Sequence, residues 1–180
     1  MLSKIILAGF GGQGIIVAGK LLASAAMKLG KNVTHFPSYG AEMRGGTCNC
    51  SVVISDKQIS SPIINEPDVA IVLNKPSKDK YEPKCKTNGM LILNKSLIKD
   101  ETKRTDLKVG YIDASEIAER IGNSKVANMV ILGAFAKITS LVNINSLIDS
   151  LKDVFPTMPD KLLDLNIKAL QEGFNLAYVI

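Results

Sequence analysis

Hydrophobic and polar positions follow two periods along this chain, and each change of period marks an element. Lys4-Ile5-Ile6-Leu7-Ala8 is almost wholly apolar, the pattern of a short strand buried on both faces. Gly9-Phe10-Gly11-Gly12-Gln13-Gly14 follows. Then Ile15, Ala18, Leu22, Ala25 and Leu29 recur at steps of three and four, which predicts a helix that stops at Gly30. Asn32 to Phe36 reads as a second strand. Strand, helix and strand within about thirty residues form a βαβ unit, so a parallel, right-handed crossover is expected.

Further along, Thr47 to Ser55 is rich in β-branched and small residues and predicts a strand. Asp56-Lys57 reads as a turn and Gln58 to Ser60 as a return strand. Asp68 to Leu73, Met90 to Asn94 and Lys108 to Asp113 read as strands, with a short helix over Ser77 to Lys84. From Ser115 the pattern is helical. Ser115 is placed to cap a helix that Gly122 closes. Lys125 to Leu141, Ser146 to Phe155 and a last segment ending near Ala177 predict three more helices, with Pro156 and Pro159 between the second and third. The expected architecture is α/β: a single Rossmann-like domain over residues 1–180. It has a mostly parallel sheet, a glycine-rich first βα turn and a helical C-terminal third.

Composition changes this picture little. Of 180 residues, 46% are hydrophobic and 22% charged, as in an ordinary globular protein, and no apolar run is long enough for a membrane span. The apolar run behind Met1 is too short for a signal peptide, so a cytoplasmic protein is expected. The net charge of +5 is local. Residues 74 to 108 hold ten basic and five acidic residues, and the rest of the chain balances. That segment reads either as solvated surface or as a patch facing an acidic or polyphosphate partner. With no Trp, 5% aromatics and no stacking platform, nucleic acid is not an expected partner. Cys48, Cys50 and Cys85 contain no Cys-x-x-Cys pair and His35 is the single histidine. No metal site or cysteine-bound cluster is expected from this set, and buried reduced thiols are favoured.

Two stretches carry candidate chemistry. Gly9-x-Gly11-x-x-Gly14 sits between the first strand and the first helix, where glycines allow close ligand approach and the helix start offers N–H groups to an anion. A dinucleotide site also wants a carboxylate at the end of the second strand. Thr34-His35-Phe36-Pro37-Ser38 has none, which counts against NAD or FAD. The turn is left as an anion site, a partner surface or a packing turn. Gln13 either caps its own helix or reaches a ligand. In Tyr39-Gly40-Ala41-Glu42-Met43-Arg44-Gly45-Gly46, three glycines surround an arginine suited to a carboxylate or phosphate, with a local Glu42–Arg44 pair as the alternative. His35 reads as a packed strand residue. No Ser-His-Asp set, Walker loop or other catalytic constellation is visible.

Taken together, Gly-Phe-Gly-Gly-Gln-Gly at 9–14 and Ser-Tyr-Gly-Ala-Glu-Met-Arg-Gly-Gly at 38–46 resemble the gamma subunit of the 2-oxoacid:ferredoxin (acceptor) oxidoreductases. Ser61-Pro62, the strand opening at Asp68 and Asn128 to Gly133 extend the resemblance over essentially the whole chain. The beta subunit of indolepyruvate oxidoreductase shares the first motif and an Arg-Gly-Gly. The form of the second motif here is more similar to the 2-oxoglutarate or branched-chain oxoacid branch.

The resemblance implies one part of an enzyme. The complex decarboxylates a 2-oxoacid on thiamine diphosphate, passes electrons through iron–sulfur clusters to ferredoxin or another acceptor, and forms an acyl-CoA. Thiamine and clusters belong to the partner alpha and beta subunits, with or without a delta subunit. The gamma chain helps assembly and helps hold coenzyme A. The residues implied for that contact are Gly9, Gly11, Gly12, Gln13, Gly14, Tyr39, Arg44, Gly45, Gly46 and Asn128, with no catalytic residue among them. A structural adaptor without a ligand and a free-standing nucleotide enzyme are the competing readings.

Overall fold

A computed structural model describes residues 1–38 and 47–179. The strands are β1 (Leu2–Phe10), β2 (Asn32–Ser38), β3 (Thr47–Ser55), β4 (Val69–Val72), β5 (Met90–Asn94), β6 (Lys108–Ile112) and β7 (Tyr178–Val179). The helices are α1 (Ile15–Lys28), α2 (Lys75–Tyr81), α3 (Ala114–Arg120), α4 (Ala127–Thr139), α5 (Ile144–Val154) and α6 (Asp160–Leu176). The sheet order is β2-β3-β1-β4-β5-β6-β7. Five strands run one way, with β1, β4, β5 and β6 paired in parallel, and β3 and β7 run against them.

The βαβ expectation needs one correction. β1 and β2 do run in the same direction, but β3 lies between them and pairs with both. The expected return strand at Gln58 to Ser60 does not form. β3 is paired along both edges, Ser55 with Leu2 on one side and Asn32 on the other, so no edge remains for a hairpin partner.

The two faces of the sheet are covered differently. Ile5 and Leu7 of β1, Cys50 and Val52 of β3 and Ile71 of β4 pack against α1 and α3–α6. The opposite face, with Ile6, Ala8, Val72 and Leu91, meets Tyr81 at the end of α2 and the segment around Ile98 and Leu107. A charged knot holds that segment down. Lys78, 1% exposed, pairs with Glu82 at 3.0 Å and donates to the Glu101 carbonyl at 2.8 Å. Glu82 Oε1 accepts the N–H groups of Lys103 and Arg104 at 2.5 and 3.1 Å.

The basic segment therefore has two parts. Lys78 and Arg104 are structural, and Lys75 and Lys86 pair with Asp100 and Asp68. Lys84, Lys99, Lys103 and Lys108 are exposed, with no ion pair among the described residues. Among the described residues, no helix is long and apolar enough to cross a membrane.

Candidate functional site

After β1 the chain turns onto the face covered by α1; after β4 it turns onto the opposite face with α2. β1 and β4 are parallel neighbours, so the gap between their carboxyl ends is the switch point where open α/β sheets gather ligands. The glycine turn lies there. Gly12 and Gly14 have φ of 95° and 70°, a region that L side chains rarely adopt. Ala18 is the first residue of α1 whose N–H finds a helical acceptor, the Gly14 carbonyl at 2.9 Å. The N–H groups of Ile15, Ile16 and Val17 have no partner among the described residues, and the helix dipole adds partial positive charge at that point.

Amide side chains brace this edge of the sheet. Gln13 does not cap its helix. Its Oε1 accepts the Phe10 N–H at 2.6 Å and folds over Gly9, where a Cβ would meet that oxygen at 2.6 Å. Asn74 donates to the same oxygen at 3.2 Å. Asn128, in the first turn of α4, donates from Nδ2 to the Gly14 carbonyl at 3.1 Å, and its Oδ1 accepts the Met129 N–H at 3.0 Å. Both its polar ends thus engage protein, which makes it a clamp on the turn. One strand further on, Asn94 donates to Ser115 Oγ at 2.9 Å and accepts the Ser115 N–H at 3.3 Å. Ser115 is therefore tied to the sheet and does not cap; α3 starts behind Asp113.

The structure thus brings Gly9, Gly11, Gly12, Gln13, Gly14 and Asn128 together. Tyr39, Arg44, Gly45, Gly46 and the Glu42–Arg44 alternative lie outside the described residues. Because β2 runs parallel to β1, its carboxyl end at Ser38 lies at the sheet edge that carries the glycine turn. Asn74 and Asn94 were missed by sequence reasoning. Their signal was position, an Asn at or just past the end of a buried strand, but a lone Asn there reads equally as a helix cap.

Nothing among the described residues supplies a nucleophile near this turn. Burial pushes Cys50 up to about 12 and Cys85 up to about 11, and raises Cys48, so all three thiols stay protonated at neutral pH. Burial, then Lys20, lowers the His35 pKa, and its Nε2 is buried without a partner among the described residues. No group of three or more His, Cys, Asp or Glu gathers among the described residues. A cleft of about 560 Å³ lies on the α2 face, lined by residues including Asn49, Glu66, Tyr81 and Lys84, and the glycine turn does not line it.

The family described as pyruvate ferredoxin/flavodoxin oxidoreductase matches residues 4–176. The ketoisovalerate oxidoreductase subunit VorA of Methanothermobacter marburgensis is 36% identical over 97% of this chain and 36% of its own length. The chain thus spans about a third of that relative. The 2-oxoglutarate synthase subunit KorC of Methanocaldococcus jannaschii is 35% identical, over 98% of this chain and 95% of its own. The pyruvate/ketoisovalerate oxidoreductases common subunit gamma of Thermococcus kodakarensis is 38% identical, with 95% of each covered. Among solved structures, the gamma subunit of a keto/oxoacid ferredoxin oxidoreductase from Geobacter sulfurreducens has a TM-score of 0.85 at 30% identity, covering 97% of this chain and 95% of that one. The 2-oxoglutarate:ferredoxin oxidoreductase from Magnetococcus marinus, with 2-oxoglutarate, coenzyme A and succinyl-CoA bound, has a TM-score of 0.87 at 26% identity, covering 97% of this chain and 31% of that one.

Proposed function

The chain belongs to the pyruvate ferredoxin/flavodoxin oxidoreductase family, and from that premise we propose that it is the gamma-type subunit of a 2-oxoacid:ferredoxin or acceptor oxidoreductase. In this reading the complex converts a 2-oxoacid to an acyl-CoA, and this chain helps to assemble it and to hold coenzyme A. The relatives' names span ketoisovalerate, 2-oxoglutarate and pyruvate. The form of the 38–46 motif favours 2-oxoglutarate or a branched-chain oxoacid. Thiamine diphosphate and iron–sulfur clusters supply decarboxylation and electron transfer on partner subunits. Three cysteines on two faces of the sheet form no cluster ligand set here.

The observation that carries the reading is the glycine turn at the switch point. It offers three helix-start N–H groups and an open approach where Gly11 and Gly12 are exposed. An anionic ligand suits that end of a helix, and coenzyme A is rich in phosphate. The chain's part is to bind and orient. Decarboxylation needs groups that the described residues do not bring to the turn. The purified polypeptide alone is therefore expected to reduce neither a dye nor ferredoxin with any 2-oxoacid and coenzyme A. Turnover by the single chain would end the subunit reading.

Arg44→Ala tests the ligand half of the proposal. A charge-assisted hydrogen bond is worth about 1.5–3 kcal/mol, so the KM for coenzyme A in the reconstituted complex should rise roughly ten- to a hundred-fold. Lys99→Ala and Lys103→Ala should leave it unchanged. An adaptor without a ligand is the second reading, favoured by the engagement of both ends of Asn128 with protein. Normal coenzyme A kinetics and normal assembly for Arg44→Ala would leave Arg44 as a local partner of Glu42 and nothing more, and a failure of this chain to bind coenzyme A would decide for the adaptor.

A further inference from the structure

Asn74 follows β4, is 3% exposed, and uses both ends of its amide. Its Oδ1 accepts the Ser77 N–H at 2.9 Å, and its Nδ2 donates to Gln13 Oε1 at 3.2 Å. Gln13 Oε1 also accepts the Phe10 N–H at 2.6 Å. Both ends of this relay are backbone N–H groups, which can only donate. The Ser77 N–H demands the oxygen of Asn74, and the Phe10 N–H demands the oxygen of Gln13. The orientation of both amides is thereby determined by chemistry. Two donors occupy Gln13 Oε1, so its acceptor end is used up. The end left over is the Nε2 amide, which has no partner among the described residues and can only donate.

We infer that Asn74 is a positioning residue that, together with the Phe10 N–H, fills the Gln13 oxygen and leaves Gln13 at the glycine turn as a donor, so that the ligand group held there is an acceptor oxygen. Beside the N–H groups of Ile15, Ile16 and Val17, that oxygen is a phosphate oxygen. The inference rests on the coenzyme A reading for the identity of the ligand, but not for the orientation of Gln13. Two donor types then meet at the glycine turn: the backbone N–H groups of the α1 start and the Gln13 amide. A ligand presenting a hydroxyl or amine donor to Gln13 would find no acceptor.

Asn74→Asp separates positioning from folding. Aspartate caps a helix about as well as asparagine, so α2 keeps its start. As a carboxylate it cannot donate to Gln13 Oε1; it repels that oxygen and competes with the Phe10 N–H for the orientation of the Gln13 amide. In the ¹⁵N-labelled full chain, the Gln13 side-chain amide resonances should shift. In the reconstituted complex, the KM for coenzyme A should rise roughly ten-fold, with kcat and the 2-oxoacid KM retained. Gln13→Ala should raise it by a similar factor, and adding Asn74→Asp to Gln13→Ala should change nothing more, because one residue acts through the other. Unmoved Gln13 resonances in Asn74→Asp would overturn the inference, and so would an equal further rise in the Gln13→Ala background. Shifted resonances with a wild-type KM for coenzyme A in all three variants would uphold the orienting role and sink the coenzyme A reading.

Discussion

Gly173→Ala is expected to destabilise the protein by about 3 kcal/mol, enough to lower the melting temperature by roughly 6–12 °C in a chain of this size. The cause is where α4 and α6 cross. A Cβ on Gly173 would lie under 3.0 Å from the Val130 carbonyl oxygen, and one on Gly133 under 3.0 Å from the Leu170 carbonyl oxygen. Both obstacles are backbone, so neither can rotate away. A carbon needs about 3.3 Å or more from an oxygen, so the helices would have to part by roughly 1 Å or more. Alanine's better helix propensity returns about 1 kcal/mol, which is too little. Parting the helices also loosens the packing of Val130, Ala134, Ala169 and Leu170, all buried. Calorimetry of Gly173→Ala and Gly133→Ala checks it. A melting temperature at or above that of the wild type would mean that the helices do not meet backbone to backbone.

Those glycines show what a sequence conveys and what it withholds. Gly133 lies inside an apolar helical pattern, where its lack of a side chain reads as a defect. The reason for it sits forty residues away in α6, and no local pattern links the two. Strands with unbroken apolar runs were legible because burial on both faces leaves no other residue choice: Met90–Asn94 emerged with its bounds unchanged, and β4 lost only its two terminal residues. β3 was legible as a strand but not as an insertion between β1 and β2. Pairing order depends on which edges are free, and edge occupancy is not written in a strand's own residues. β7, two residues long and exposed, carries too little pattern to detect.

The site was legible in the same uneven way. The glycine turn announced itself because positive φ at Gly12 and Gly14 restricts residue choice. Gln13 was legible as unusual but not in its role, since its partners are Phe10 three residues back and Asn74 sixty-one residues on. Asn128 came forward through the family resemblance alone. Its hydrogen bond to Gly14 spans 114 residues of chain, so only the fold discloses that α4 holds the first βα turn. That contact ties the helical C-terminal third to the carboxyl edge of the sheet.

Gly14→Val should therefore damage fold and function together. Gly14 has a φ of 70°, where an L residue costs about 1–2 kcal/mol and a β-branched one more. A Cβ there would also fall under 3.0 Å from Asn128 Nδ2, on a side chain that is buried and bonded at both ends. Asn128 would have to swing away and give up its bond to the Gly14 carbonyl, worth about 1 kcal/mol. The sum is roughly 2–5 kcal/mol, with the turn displaced from the α1 start. Gly12→Ala is the control. Gly12 has a φ of 95°, but a Cβ there meets nothing within 4 Å, so it carries the backbone term without the collision. Chemical unfolding should rank wild type above Gly12→Ala above Gly14→Val. In the reconstituted complex, Gly14→Val should lose coenzyme A-dependent turnover, while Asn128→Ala in the same background should restore part of the stability by removing the obstacle. Equal losses for Gly12→Ala and Gly14→Val would show that backbone conformation alone requires glycine here and that Asn128 is no clamp. Full stability and full activity in Gly14→Val would show that the first βα turn can move without disturbing the site.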